Sequence, residues 1–132
     1  MATKSNGKTI LLVEDDSLYR NTVAYELKQS GFSVLHASNC QDAWLILEEK
    51  QVDLVITDIH MPNGNGMNLL RQIKDRNAIA PAVVLMTCHT DVDLSNAKDW
   101  GVEAVLIKPF DREELMLASQ SAFTVMETEE KS

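Results

Sequence analysis

The sequence is short of several things, and each shortage removes a class of protein. Only two cysteines, Cys40 and Cys88, occur in 132 residues, so no disulfide framework is implied and a reducing cytoplasm is the default compartment. Folding a chain of this length buries roughly 68% of the surface its unfolded form exposes, so one core is sustainable without bridges or a structural metal. A second folded domain is excluded by length. No apolar run exceeds five residues, the length of the stretch 82–86, and no basic start precedes one. Neither a membrane span nor a signal peptide is expected. Basic residues are scarce as well: 12 Lys and Arg face 20 Asp and Glu, a formal charge of −8. Non-specific attraction to nucleic-acid phosphates needs the opposite balance, so direct nucleic-acid binding is not expected. Tracts rich in Pro, Gly or Ser, and with them any internal linker, are missing too.

What is present is a rhythm. Residues 9–13, 33–37, 52–57, 82–86 and 104–107 are short β-branched or aliphatic runs, and each is followed by a segment of helical spacing: 17–30, 40–50, 67–77, 92–100 and 111–126. Gly31 and Gly101 stand where helix C-terminal caps belong. Strands separated by helices lie parallel, with helices on both faces. Right-handed crossovers then predict an α/β fold with a five-stranded, doubly wound parallel sheet in the order 2-1-3-4-5. Residues 9–126 form the domain, with a flexible N-terminal segment at 1–8 and a frayed C-terminal tail at 127–132.

In such a sheet ligands bind beyond the carboxyl ends of the strands. Strand one ends in Glu14-Asp15-Asp16, strand three in Asp58, strand four in Thr87 and strand five in Lys108-Pro109. Strands one and three are neighbours, so Glu14, Asp15 and Asp58 converge. At an effective dielectric of 20 and about 5 Å, each pair of these carboxylates repels by roughly 3 kcal/mol. Something cationic belongs among them: Lys108, or a divalent metal. An oxygen-only set suits octahedral Mg²⁺ far better than zinc, and Mg²⁺ with Lys108 brings the charge to neutrality.

These runs resemble a family. Ile10-Leu11-Leu12-Val13-Glu14-Asp15-Asp16, then Asp53-Leu54-Val55-Ile56-Thr57-Asp58-Ile59-His60-Met61-Pro62 with Gly66, Thr87 after its apolar strand, and Ile107-Lys108-Pro109-Phe110 look like the CheY-like receiver domain of two-component response regulators, over residues 8–123. The resemblance implies a flavodoxin-like fold and a phosphorylation-controlled switch that is no turnover enzyme. It makes Asp58 the phosphoacceptor, and Glu14, Asp15, Asp58 and the backbone carbonyl of His60 the Mg²⁺ site. Thr87 becomes the switching hydroxyl and Lys108 the phosphate-contacting ammonium. The implied partners are a sensor histidine kinase or phosphotransfer protein upstream and an effector or output domain downstream. Nothing resembling an output domain is present, dimerisation is left open, and the chain fits both a freestanding protein and a piece of a longer regulator.

One position departs from the family. An aromatic residue commonly lies three positions before the lysine and moves inward with the threonine, but this chain has Val105 there, so a degenerate receiver that only mediates contacts is the alternative. Two other classes fit less well. A phosphatase with an aspartyl-phosphate intermediate wants a second acid where His60 stands, and a flavin module wants a hydroxyl-rich loop where Glu14, Asp15 and Asp16 repel anions. Around the site, Asp16 is a helix cap or a water-mediated metal contact, while His60 and His89 are candidate modulators over its mouth. Cys88 reads as a small buried residue, Tyr19, Tyr25 and Trp44 as packing, and Trp100 as packing or a partner surface.

Overall fold

Successive residues of a strand face opposite sides of a sheet, so a strand covered on both sides shows no alternation of polarity. That is how the aliphatic runs are used. The computed structural model describes residues 7–61, 64–76, 81–88 and 99–131. Strands β1 (Thr9–Val13), β2 (Ser33–Ala37), β3 (Leu54–Asp58), β4 (Ala82–Thr87) and β5 (Ala104–Ile107) form one parallel sheet in the order β2-β1-β3-β4-β5. Ile10, Leu12, Leu54, Ile56, Val84 and Met86 face helices α1 (Ser17–Gln29) and α4 (Arg112–Lys131). Leu11, Val13, Val55, Val83 and Leu85 face α2 (Cys40–Glu49) and α3 (Gly66–Arg76). The doubly wound, flavodoxin-like architecture is thus the one the sequence predicts.

Local chemistry sets the helix ends. Asp16 caps α1 by accepting from the N–H groups of Leu18 and Tyr19 at 3.0 and 3.2 Å. At its other end Gly31 takes φ +97°, Gly31 N–H donates to Lys28 O and Phe32 N–H to Leu27 O. That paired 5→2 and 6→1 closure needs a residue at ease in the left-handed region. Helix α4 opens with a reciprocal box: Glu114 N–H donates to Asp111 Oδ1 at 2.8 Å, and Asp111 N–H to Glu114 Oε1 at 3.0 Å.

Several details differ from the sequence reading. Strand β3 begins at Leu54 rather than at residue 52, because Asp53 is used across the sheet end, its Oδ2 accepting from Thr9 N–H at 2.8 Å. The stretch after Asp58 carries a small antiparallel pair, His60–Met61 with Gly64–Asn65, beyond the turn expected there. Helix α4 runs to Lys131, past residue 126. Tyr25 is exposed and does not pack, because the core face of α1 is occupied by Val23, Ala24 and Leu27. Cys88 is exposed rather than buried, one residue beyond the strand. The predicted helix 92–100 lies outside the described residues except for its last two, and among the described residues no helix is long and apolar enough to cross a membrane. The Lys108–Pro109 peptide is cis.

Ile56 is fully buried on the middle strand. Ile56→Ala is expected to lower unfolding free energy by about 3 kcal/mol, the usual cost of such a cavity, as read by urea denaturation.

Candidate functional site

Parallel register delivers the acidic cluster. Val13 stands opposite Thr57, so the residue after β1, Glu14, and the last residue of β3, Asp58, emerge side by side. One carboxylate oxygen each from Glu14, Asp15 and Asp58 lie within 4.8 Å of one another. Glu14 and Asp58 are buried, whereas Asp15 is exposed. From the end of β5 the Lys108 ammonium reaches both buried acids, 2.6 Å from Glu14 Oε1 and 2.5 Å from Asp58 Oδ2. The second oxygen of each acid accepts from the backbone, Glu14 Oε2 from Asp16 N–H at 3.1 Å and Asp58 Oδ1 from His60 N–H at 3.0 Å. Each buried carboxylate is therefore held by one cation and one peptide dipole, the arrangement that makes a buried charge tolerable.

The charges do not balance. Three carboxylates and one ammonium leave −2, and burial sharpens the imbalance. Burial pushes the Glu14 carboxyl above its ordinary range, with the Asp58 charge adding to it, and the hydrogen bonds from Lys108 and Asp16 N–H recover only part of the shift. For Lys108 burial alone would favour the neutral amine, but its hydrogen bonds and charge contacts with Asp58 and Glu14 overturn that and raise it well above its ordinary value. An acidic, all-oxygen cluster with two missing positive charges is able to bind a divalent metal.

Thr87 ends β4 with its hydroxyl buried and, among the described residues, without a hydrogen-bond partner, an expensive state for a buried polar group. Gly66, at the start of α3, backs the loop. A Cβ there would collide with the Asp58 carbonyl oxygen and lie 3.2 Å from Ile59 Cα, so only glycine fits. His60 is exposed, its backbone paired with Asn65. Asp16 is a helix cap. Val105 sits half-buried against the cluster under α2 and α3, paired in register with Leu85. Trp100 packs partly buried against that same cluster and, with Leu70 and Lys74, lines a groove of about 180 Å³ along α3. His89 lies outside the described residues.

Two residues at the site escape sequence reasoning. Arg20 donates through Nη1 to the Glu14 carbonyl oxygen at 2.6 Å, with its Nε buried and, among the described residues, unpartnered. Tyr19, expected merely to pack, lies with its ring centroid 4.7 Å from the Lys108 ammonium. The available signal was position: both stand in the first turns of the helix that follows the acidic run, where long side chains reach the same mouth.

Known proteins carry the same organisation. Residues 10–120 match the family model of the response regulator receiver domain. The chain is 34% identical over 110 residues, 83% of its length, to the DNA-binding transcriptional regulator NtrC of Rhizobium meliloti, and 36% identical over 103 residues to the Regulator of RpoS of Escherichia coli, 78% of its length. It spans 23% and 31% of those two relatives. Among solved structures, a response regulator receiver domain protein from Clostridium thermocellum superposes with a TM-score of 0.83 at 31% identity, over 92% of this chain and 98% of that one. The response regulator TrrA from Thermotoga maritima, solved in complex with Mg²⁺ and BeF, superposes with a TM-score of 0.77 at 27% identity, over 87% of this chain and 98% of that one. The chain belongs to the response regulator receiver domain family. It is a two-component signalling module, a phosphoacceptor domain rather than a turnover enzyme.

Both pKa shifts have one sign. A group whose folded-state value is raised contributes stability that is full below its unfolded value and lost as pH rises through the folded one. In metal-free protein stability should therefore decline as pH climbs beyond 10.5, the ordinary value for Lys108. Lys108→Met should cost about 3 kcal/mol at neutral pH, because it leaves two buried acids without their cation. It should also flatten the alkaline decline, as seen in denaturation curves in EDTA between pH 7 and 12. Tyr19 is also raised by burial, so Tyr19→Phe serves as the control for the tyrosine part of that slope.

Proposed function

We propose that Asp58 accepts the phosphoryl group, with Lys108 and Thr87 receiving its oxygens, and that residues 9–126 act as the complete receiver unit. One observation carries the reading: the acid at the end of the middle strand already has an ammonium on one oxygen at 2.5 Å, within the same site that holds a buried hydroxyl with no partner among the described residues. A phosphoryl group supplies what both lack. Its oxygens give the Thr87 hydroxyl an acceptor and give Lys108 new anionic partners as charge moves onto the transferred group.

The transfer is a displacement at phosphorus. A carboxylate oxygen of Asp58 forms the new P–O bond while the P–N bond of a partner's phosphohistidine breaks, and the freed imidazole nitrogen takes a proton from solvent. Later a water oxygen attacks phosphorus, the P–O bond to Asp58 breaks, and the carboxylate returns with phosphate released. Asp58 is the nucleophile in the first step and the leaving group in the second. His60 N–H fixes the acceptor's orientation through Oδ1, and Lys108 neutralises charge without donating a proton. Glu14, Asp15, Asp58 and the His60 carbonyl are the proposed Mg²⁺ ligands. Bound there, Mg²⁺ would supply the missing positive charge at the phosphoryl oxygens; the similar TrrA was solved in complex with Mg²⁺ and BeF.

Receiver domains of response regulators partner with histidine kinases. A sensor kinase or a phosphotransfer protein is the donor proposed here, in the cytoplasm, with an effector or output domain as the recipient of the signal. Because Val105 has no ring to swing, the signal has to leave by a route other than an aromatic rotamer at that position, and Trp100 is the side chain proposed to report it.

Incubation with acetyl phosphate and Mg²⁺ is expected to add one group of about 80 Da to the wild type, base-labile and lost in Asp58→Asn, by intact mass spectrometry. In the Trp44→Phe background the labelled protein should change its Trp100 fluorescence. Label on Asp58→Asn would mean another acceptor. Label without any Trp100 change would favour the contact module over the switch.

A further inference from the structure

Lys108 has a third neighbour besides the two acids. Its nitrogen lies 4.7 Å from the centroid of the Tyr19 ring, within the distance at which the negative face of an aromatic ring attracts a cation. Tyr19 is held at its backbone and at its ring. Tyr19 N–H donates to Asp16 Oδ1 at 3.2 Å, tying the first turn of α1 to the acidic loop. Phe110, two residues beyond Lys108, meets the ring edge-on, with centroids 5.9 Å apart and planes at 79°. Both rings are partly buried against the core between the sheet, α1 and α4.

An ammonium has three N–H donors, and in the resting site Lys108 spends two of them on Glu14 and Asp58. When a phosphoryl group arrives on Asp58, at least one of these partners must be exchanged for a phosphoryl oxygen. Hydrogen bonds break during that exchange. A ring face attracts the charge itself and is indifferent to the direction of any single N–H, so it can keep the nitrogen in place while the donors turn. Without it the four-carbon stem of lysine has rotamers that lead to water, and confining it again costs entropy as the transfer occurs.

We infer that Tyr19 is a positioning residue for phosphoryl transfer to Asp58, holding the Lys108 ammonium beside the acceptor through its ring face. The inference rests on the phosphoacceptor reading and adds a side chain that acts only through Lys108. The phenol hydroxyl has no part in it, which separates ring from hydroxyl by experiment.

The test is the rate of Asp58 labelling by acetyl phosphate at saturating Mg²⁺ in wild type, Tyr19→Phe, Tyr19→Leu, and a chain with pentafluorophenylalanine at position 19. The fluorinated ring keeps the shape of phenylalanine and reverses the charge of its face. Tyr19→Phe should retain the wild-type rate. Leucine and the fluorinated ring should each be about five-fold slower, about 1 kcal/mol at 1.36 kcal/mol per tenfold. A second readout needs neither metal nor phosphodonor: in metal-free protein the Lys108 Cε protons should lie upfield through the ring current, and return downfield in Tyr19→Leu. A fluorinated chain as fast as Tyr19→Phe would leave the ring a mere steric wall and overturn the inference, as would Tyr19→Leu at the wild-type rate or Lys108 protons with no upfield shift. A wild type that takes no label overturns the phosphoacceptor reading and this inference with it, whereas a labelled wild type with a flat variant series overturns this inference alone.

Discussion

The Lys108 ammonium between Glu14 and Asp58 is the contact on which the rest of the site depends. Two acids are buried at the ends of adjacent strands, and on Coulomb's law at a dielectric near 20 their repulsion is of the order of 3 kcal/mol. A fold tolerates that only with a cation in place. Lys108 can supply it because β5 lies at the sheet edge two strands away from β3, with its end at the same rim as Glu14, Asp58 and Thr87. The doubly wound topology turns the ends of four separate strands into one site, and the charge of the site then selects what may enter it.

That charge remains two units short, and the shortfall links stability to chemistry. A site fully neutralised by its own residues would have little use for a metal or for a change of partners on Lys108. Here the ammonium is already engaged, the Thr87 hydroxyl is buried without a partner among the described residues, and Gly66 lets backbone pass close against the Asp58 carbonyl. The unsatisfied hydroxyl is a cost in the resting protein that phosphoryl oxygens would relieve, and the excess carboxylate charge is one that a cation would relieve. Such unpaid local costs are where a fold of this kind stores its responsiveness.

Most of the architecture was legible because burial is periodic. The aliphatic runs gave the strands, and the odd and even residues of β1, β3 and β4 divide between the two helical layers as parallel strands require. Caps were legible where one residue type answers one geometric need, as with Asp16 and Gly31. The acidic cluster was legible because strand order alone brings Glu14, Asp15 and Asp58 together. What a sequence does not record is sideways approach between elements distant along the chain. The Tyr19 ring meets Lys108 across 89 positions, and Asp53 reaches Thr9 at the start of the neighbouring strand; Arg20, though only six residues from Glu14, turns back onto its carbonyl by a side-chain path that spacing does not fix. Exposure misled at two positions: Tyr25, read from helical spacing, points away from the core, and Cys88, read from its residue type, lies just past the last covered strand position.

The most direct test of the account is the melting temperature of the protein with and without millimolar Mg²⁺ at constant ionic strength, compared with Asp15→Asn. A cation bound only by the folded state at a hundred times its dissociation constant stabilises by about 2.7 kcal/mol, so the wild type should melt several degrees higher with Mg²⁺ and Asp15→Asn should lose most of that rise. A wild-type melting temperature indifferent to Mg²⁺ would contradict the claim that uncompensated carboxylate charge organises this site.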